Sequence, residues 1–258
     1  TTEIYTLSLH DALPISDWDL HGTVLRHRAT GAQVVLLLDG DTELSFSLVF
    51  RTPRDPGSDV AHVLEHMVTR GSTQYPVNGL FREVDKRSLN TELRALTYPS
   101  FTLYGASSRH PRDLGNLMDV FVAAAFHPVL SREVFRTEAW RHELPDAAGT
   151  PVCTGITYNE AKVRCMTPAD VLDELLEQAF VKGGGADAAG RHGPARVAAV
   201  SLDQVRDYHR RHYCPANALM VFHGAHEPAA CLAFAAATFN ALSADPGRPS
   251  PPLTVSRR

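Results

Sequence analysis

The chain has no long hydrophobic run. Its richest stretch, Leu117 to Phe126, is broken by Asp119 and falls short of the about 18 apolar residues that a spanning helix needs, so no membrane segment is expected. Cysteine is scarce. Cys153, Cys165, Cys214 and Cys231 lie far apart with no Cys-x-x-Cys pair, which suits reduced core thiols better than a disulfide framework and favours a reducing compartment such as the cytoplasm. Neither sign of charge is in large excess. A formal net charge of −4 makes nucleic acid a poor partner. The Gly- and Ala-rich stretch Gly183 to Gly193 lacks Gly-x-x-x-x-Gly-Lys-Ser/Thr and is no phosphate loop. What remains is an ordinary globular composition, 44% hydrophobic and 21% charged over 258 residues, enough to bury a substantial core.

Residues 1–16 stand apart. Thr1 to Ser16 matches one reading frame of a common sequencing adapter through every codon, so the segment is set aside as an assembly scar, as a tag would be. On that reading His10 and Asp11 carry no functional weight, the native N-terminus is missing, and the lack of a leader says nothing about location.

From Asp17 onward, strands are expected at Gly22 to Arg28, Gln33 to Leu38 and Glu43 to Arg51, with turn chemistry at Thr30-Gly31 and Asp39-Gly40-Asp41. After the Pro/Gly-rich loop Pro53 to Gly57, a helix capped by Ser58 or Asp59 runs from Val60 to Thr69 and stops at Gly71. A second helix spans Leu80 to Arg87, followed by strands at Thr91 to Thr97 and Phe101 to Ala106. Helices follow at Pro111 to Phe126 and Ser131 to Glu143. A short strand at Thr154 to Tyr158 feeds a helix from Asn159, and Pro168 to Phe180 reads as another amphipathic helix. Leu202 to Tyr213 is helical, Ala218 to His223 a buried strand and Glu227 to Leu242 an Ala-rich helix. His142, His209 and His212 are placed on solvated faces, and His226 or Glu227 is expected to cap the last helix. Strands followed by helices without βαβ alternation define an α+β domain over 17–244, and the Pro/Ser/Arg tail over 245–258 reads as a linker.

The chemistry sits in His62-Val-Leu-Glu-His66. Histidines four apart on a helix project from one face, near enough for both imidazoles to reach one cation, and Glu65 lies beside them. A catalytic zinc takes three protein ligands and leaves one position for water, whose pKa it lowers, and a nearby carboxylate can take that proton and pass it to a leaving amine. His-x-x-Glu-His is the inverted zincin signature. A third ligand must come from elsewhere. Glu160 in Tyr158-Asn-Glu-Ala-Lys162 is one candidate, although a Glu opening a helix is also favoured by the helix dipole alone. Cys153 and Cys165 are others.

From Gly22 to about Leu242 the chain resembles the pitrilysin/insulinase family of metallopeptidases, most closely the presequence protease branch. His62 to His66 looks like the metal helix, and Gly71-Ser-Thr-Gln-Tyr-Pro76 like the Gly-Ser-x-x-Tyr-Pro run that follows it. Leu89-Asn-Thr91, Thr97-Tyr-Pro99 and Thr102-x-Tyr104 resemble the substrate-edge region. Tyr158 to Lys162 matches Phe-Asn-Glu-x-Lys, and Tyr213-Cys-Pro-Ala-Asn217 matches the Tyr-x-Pro-x-Asn approach to the last strand. The resemblance implies the pitrilysin/processing-peptidase fold, a mostly antiparallel sheet with helices on one face. It implies one zinc ion per chain held by His62, His66 and Glu160, with Glu65 as general base. It also implies an extended peptide substrate laid along the strand edge at Arg94, Ala95 and Leu96 by β-augmentation. Arg94 stands where the family has Asn, and Ser100 where it has Asp. A guanidinium prefers carboxylates, so Arg94 suggests tolerance for acidic residues.

In that family two related halves close on the substrate, and the second supplies an Arg and a Tyr. This chain is therefore expected to need a missing C-terminal half, to hold zinc and to hydrolyse unstructured peptides poorly by itself. Two alternatives share these features. One is a catalytically silent scaffold or subunit; the other is a lyase resembling S-ribosylhomocysteine lyase, which has the inverted motif but a Cys third ligand.

Overall fold

The computed structural model describes residues 6–15, 20–55, 57–146, 149–164, 166–169, 171–172, 176 and 193–244. The helix expected over Pro168 to Phe180 falls largely outside these residues, and the loop Gly183 to Gly193 and the tail over 245–258 fall almost or wholly outside them.

Seven strands form one sheet: β1 (Leu7–Ile15), β2 (Leu20–His27), β3 (Gln33–Leu38), β4 (Leu44–Arg51), β5 (Asn90–Thr97), β6 (Phe101–Ser108) and β9 (Ala218–His223), in the order β1-β2-β3-β9-β4-β6-β5. All pairings are antiparallel except β3 with β9. The last strand in the chain is thus the middle one of the sheet, and it alone joins β3 to β4. A two-stranded ribbon, β7 (Arg141–Glu143) with β8 (Val152–Thr154), stands apart.

Strand alternation selects the faces. Leu44, Phe46, Leu48 and Phe50 of β4 and Ala218, Met220 and Phe222 of β9 are buried, whereas the residues between them are more exposed. The helices pack on this buried face: α1 (Val60–Val68), α2 (Leu80–Asp85), α3 (Pro111–Phe126), α4 (Arg132–Glu138), α5 (Ile156–Arg164), α6 (Pro194–Ala198), α7 (Leu202–His212) and α8 (Pro228–Ser243). Phe50 stacks on Tyr213 at 4.4 Å between ring centroids and meets Phe126 edge-on at 5.3 Å, and Phe46 meets Phe234 of α8 at 6.1 Å. The α+β class and the one-sided helix layer expected from the sequence are both present.

Several local expectations differ from the structure. Residues 7–15 pair with β2 as an edge strand, whose register shifts between Leu9 and Asp11. Such addition needs only free backbone groups and a suitable side-chain alternation, whatever the segment's origin. The helix expected over Ser131 to Glu143 ends at Glu138, and Arg141 to Glu143 turns into β7. Two contacts hold that break. The Trp140 indole donates to the Val200 carbonyl at 2.9 Å, and Ala139 is pressed against Gly155, where a Cβ would lie 2.2 Å from the Ala139 carbonyl oxygen. The same glycine separates β8 from α5, so α5 begins at Ile156 rather than Asn159 and the short strand precedes Gly155. His209 is buried and meets the Ala125 carbonyl at 2.8 Å, and half-buried His212 packs on Tyr208, whereas His142 is exposed as expected, though in β7 beside Trp140. At the start of α8, Glu227 makes no side-chain cap and His226 instead meets the Ser45 carbonyl at 3.0 Å.

Phe50 is fully buried between two aromatic partners. Its replacement by alanine is expected to cost about 3–5 kcal/mol, read as a lowered urea midpoint at constant m-value.

Candidate metal centre

Helix α1 is buried nearly all round: Val60, Ala61, Val63, Leu64, Met67 and Val68 are core, and His62 and Glu65 are each only 7% exposed. Polar groups so enclosed need partners. Asp59 precedes the helix without capping it through its side chain; its Oδ2 lies 3.3 Å from His62 Nδ1. His66 Nδ1 lies 3.4 Å from Oε2 of Glu138, the last residue of α4, which is itself 1% exposed and paired through Oε1 with Arg70. A carboxylate only accepts, so each Nδ1 is the protonated nitrogen and each Nε2 is turned the other way.

Both Nε2 atoms converge on Glu160 Oε2, at 3.5 Å from His62 and 3.3 Å from His66. Glu160 sits midway along α5, beyond the first turn, so the helix dipole does not account for it. Four ligands bound about 2.0–2.1 Å from a zinc at tetrahedral angles stand about 3.3 Å from one another. The two distances to Glu160 are those of such an edge, longer than the about 2.7–2.9 Å of a direct charge-assisted N–H···O hydrogen bond. Among the described residues, His62, His66 and Glu160 are the one group of His, Cys, Asp and Glu whose donor atoms all lie within 4.8 Å of one another. Two imidazoles and one carboxylate suit a borderline cation such as zinc and leave a fourth position open. Cys153 is not part of this group and meets Tyr158 instead, while Cys165 lies outside the described residues.

Burial alone would lower the histidines' pKa values. For His66, contacts with Glu138 and Glu160 outweigh that effect and raise it to about 9; for His62, Asp59 and Glu160 do the same to a lesser degree. The Glu160 carboxyl is held far below its usual range by the two histidines.

The expected substrate edge, Arg94 to Leu96, lies in β5, the terminal strand, whose outer edge pairs with no strand among the described residues. The register pairs Ala95 with buried Tyr104 and Thr97 with buried Thr102, so Ala95 and Thr97 face α1, and Thr97 lines a small cleft with Asp59 and His62. Arg94 and Leu96 point to the opposite face, and the Arg94 guanidinium is paired with Glu92. Both partners of this pair are exposed, at 56% and 41%, so the Arg94 charge remains at the surface. The sequence did not single out Glu138 or Arg70, nor Asp59 as a histidine partner; the one readable signal was a carboxylate three residues before His62.

Three comparisons bear on this arrangement. The model of the Insulinase (Peptidase family M16) family matches residues 54–151, a span that includes α1 and β5 and ends before Glu160. By fold the chain is like pitrilysin, with a TM-score of 0.62 and 16% identity over 95% of this chain and 26% of that one. It is also like a peptidase M16 inactive domain from Pseudomonas fluorescens, with a TM-score of 0.65 and 13% identity over 86% of this chain and 51% of that one. The family-model match and the fold neighbours all point to insulinase-type, M16 peptidase domains, and the resemblance read from the motifs is borne out. The curated relatives include the chloroplastic and mitochondrial presequence protease 1 of Arabidopsis thaliana, 34% identical over 218 residues, which are 83% of this chain. The chain spans about a fifth of that relative's length: 20%.

In the metal-free chain, the raised His66 contributes stability that is fully present below its usual pKa of 6.5 and is lost as pH rises through about 9. The depressed Glu160 contributes above 4.5 and is lost as pH falls. Thermal midpoints measured in chelator are expected to be highest between about pH 4.5 and 6.5 and to decline toward pH 9. A flat profile across pH 6.5–9 would show that the imidazoles are not held as the geometry indicates.

Proposed function

We propose that residues 17–244 form the zinc-binding first domain of a presequence-protease-like endopeptidase acting on unstructured peptides, with residues 1–16 an adapter-derived addition and 245–258 a linker. The observation that carries this reading is the convergence of His62 Nε2, His66 Nε2 and Glu160 Oε2 at tetrahedral-edge spacing. Beside them, Glu65 is enclosed on the same helix and the sheet edge at β5 is open.

When bound, one zinc ion per chain supplies Lewis acidity toward a carbonyl and makes water easier to deprotonate. The chain's own residues do the rest. Backbone groups of Arg94, Ala95 and Leu96 pair with an extended peptide and hold its scissile amide over the cleft next to α1. Glu65 takes the proton of the attacking water and delivers it to the departing amine nitrogen, first base and then acid. Burial of His62 and Glu65, each 7% exposed, strengthens the charge interactions they make. Peptide backbone rather than side chains sets recognition on this reading, and the exposed Arg94 guanidinium tolerates acidic residues near it.

The relatives' greater length supports a second half that completes the site in the whole protein, so weak turnover by this chain alone is part of the proposal. A silent scaffold is the competing reading, since one fold neighbour is an inactive domain. The full His62, Glu65, His66 and Glu160 set weighs against it, because a scaffold has no need of all four. Against the lyase reading, Glu160 rather than Cys153 stands against both imidazoles among the described residues, and Cys165 is left to the test below.

Zinc content after dialysis against a weak chelator tests the site. Near-stoichiometric zinc is expected in the parent and in Cys165→Ser, with loss in Glu160→Gln; zinc lost with Cys165 would move the assignment to the lyase, and none in the parent would leave the scaffold. Glu65→Gln is expected to keep zinc while removing whatever peptide cleavage the parent has. Cleavage retained in that variant would exclude Glu65 as the base.

A further inference from the structure

Glu138 is the most deeply buried carboxylate around α1, at 1% exposure, and nothing in the His-x-x-Glu-His pattern calls for it. It ends α4, at the point where Gly155 and Trp140 break the helix. Oε2 faces His66 Nδ1 at 3.4 Å. Oε1 is paired with Arg70 Nε, yet off the line of an aligned hydrogen bond, so this oxygen is enclosed with its hydrogen bonding incomplete. Arg70 is itself anchored: its carbonyl accepts from the amides of Gly79 at 2.9 Å and Leu80 at 3.2 Å. An isolated buried carboxylate is expensive, and a structure that only needed packing here would be served better by an apolar side chain. Its contacts are with the Arg70 guanidinium on one side and the His66 imidazole on the other.

We propose that Glu138 is a positioning residue for the metal centre. Held by Arg70, its carboxylate accepts the Nδ1 proton of His66, fixes the tautomer with the lone pair on Nε2, and sets the ring plane that aims Nε2 at the space shared with Glu160. Asp59 does the same for His62 from a more exposed place, its side chain being 21% exposed. The two are not equivalent. Asp59 sits on the loop before α1, three residues from its histidine, whereas Glu138 comes from another helix and so ties α4 to the metal helix. Outer carboxylates of this kind change metal affinity by about 10–100-fold. This inference rests on His62, His66 and Glu160 binding zinc, as proposed above.

The test is zinc affinity of the 258-residue chain by competition with a chromophoric chelator, for the parent, Glu138→Gln, Arg70→Met and the double variant, with Glu160→Gln as the control for the site itself. Glutamine keeps the volume of glutamate, so a packing role predicts no change in affinity. Positioning predicts about 10–100-fold weaker binding in Glu138→Gln and a smaller loss in Arg70→Met. It also predicts little further loss in the double variant, because both changes act through one contact. In the zinc-loaded parent, NMR of the imidazole nitrogens is expected to give a protected, downfield Nδ1 proton on His66 that moves upfield in Glu138→Gln. Affinity within twofold of the parent and an unmoved Nδ1 signal would overturn the proposal while leaving the zinc site intact. Parent binding no tighter than Glu160→Gln would instead overturn the site on which it depends. Should Glu138→Gln not fold, Arg70→Met decides: unchanged affinity and an unmoved Nδ1 proton would overturn it equally.

Discussion

The structure turns on one difficult burial. Helix α1 places two histidines and a glutamate inside a layer that is otherwise core, and charged or polar groups there are tolerated only if neighbouring elements bring partners. Asp59 arrives from the loop before the helix, Glu138 from α4 and Glu160 from α5. Three separate segments around α1 therefore each contribute a carboxylate to its polar side. The apolar side rests on the sheet, where Leu64 and Met67 are fully enclosed. Packing and site are the same set of contacts seen from two sides of one nine-residue helix.

That shared origin explains which parts could be read from the chain. Strands β3, β4 and β9 announce themselves by alternation, because one face of each is buried and the other is not. Helix α3 is legible from its Pro at N1 and its apolar spacing, and α7 from a Ser201–Gln204 capping box. The His62/His66 pair is local, so its spacing suffices. Glu160 needed family motifs, since its partners lie far away in sequence and a glutamate near a helix start has an ordinary explanation.

Glu138 was not readable at all. Its neighbourhood has helical propensity that would carry α4 onward, and the break is imposed from outside by the Trp140–Val200 hydrogen bond and by the close approach of Gly155. The same tertiary override moved the start of α5. Arg94 shows a different limit: sequence gives its charge, but only the register of β5 against β6 gives its face and its pairing with Glu92.

The placement of β9 carries a consequence for how the domain comes into being. Ribosomes deliver β3 and β4 early, yet these strands do not pair with each other; both wait for Ala218 to His223, near the end of the described chain. Until then two half-sheets exist with open inner edges, and α1, packed against β5 and α7, has no complete floor. Long-range closure of this kind is slow, and unpaired edges invite association with other chains. The window between synthesis of His66 and synthesis of β9 is therefore when this domain is most exposed to misassembly.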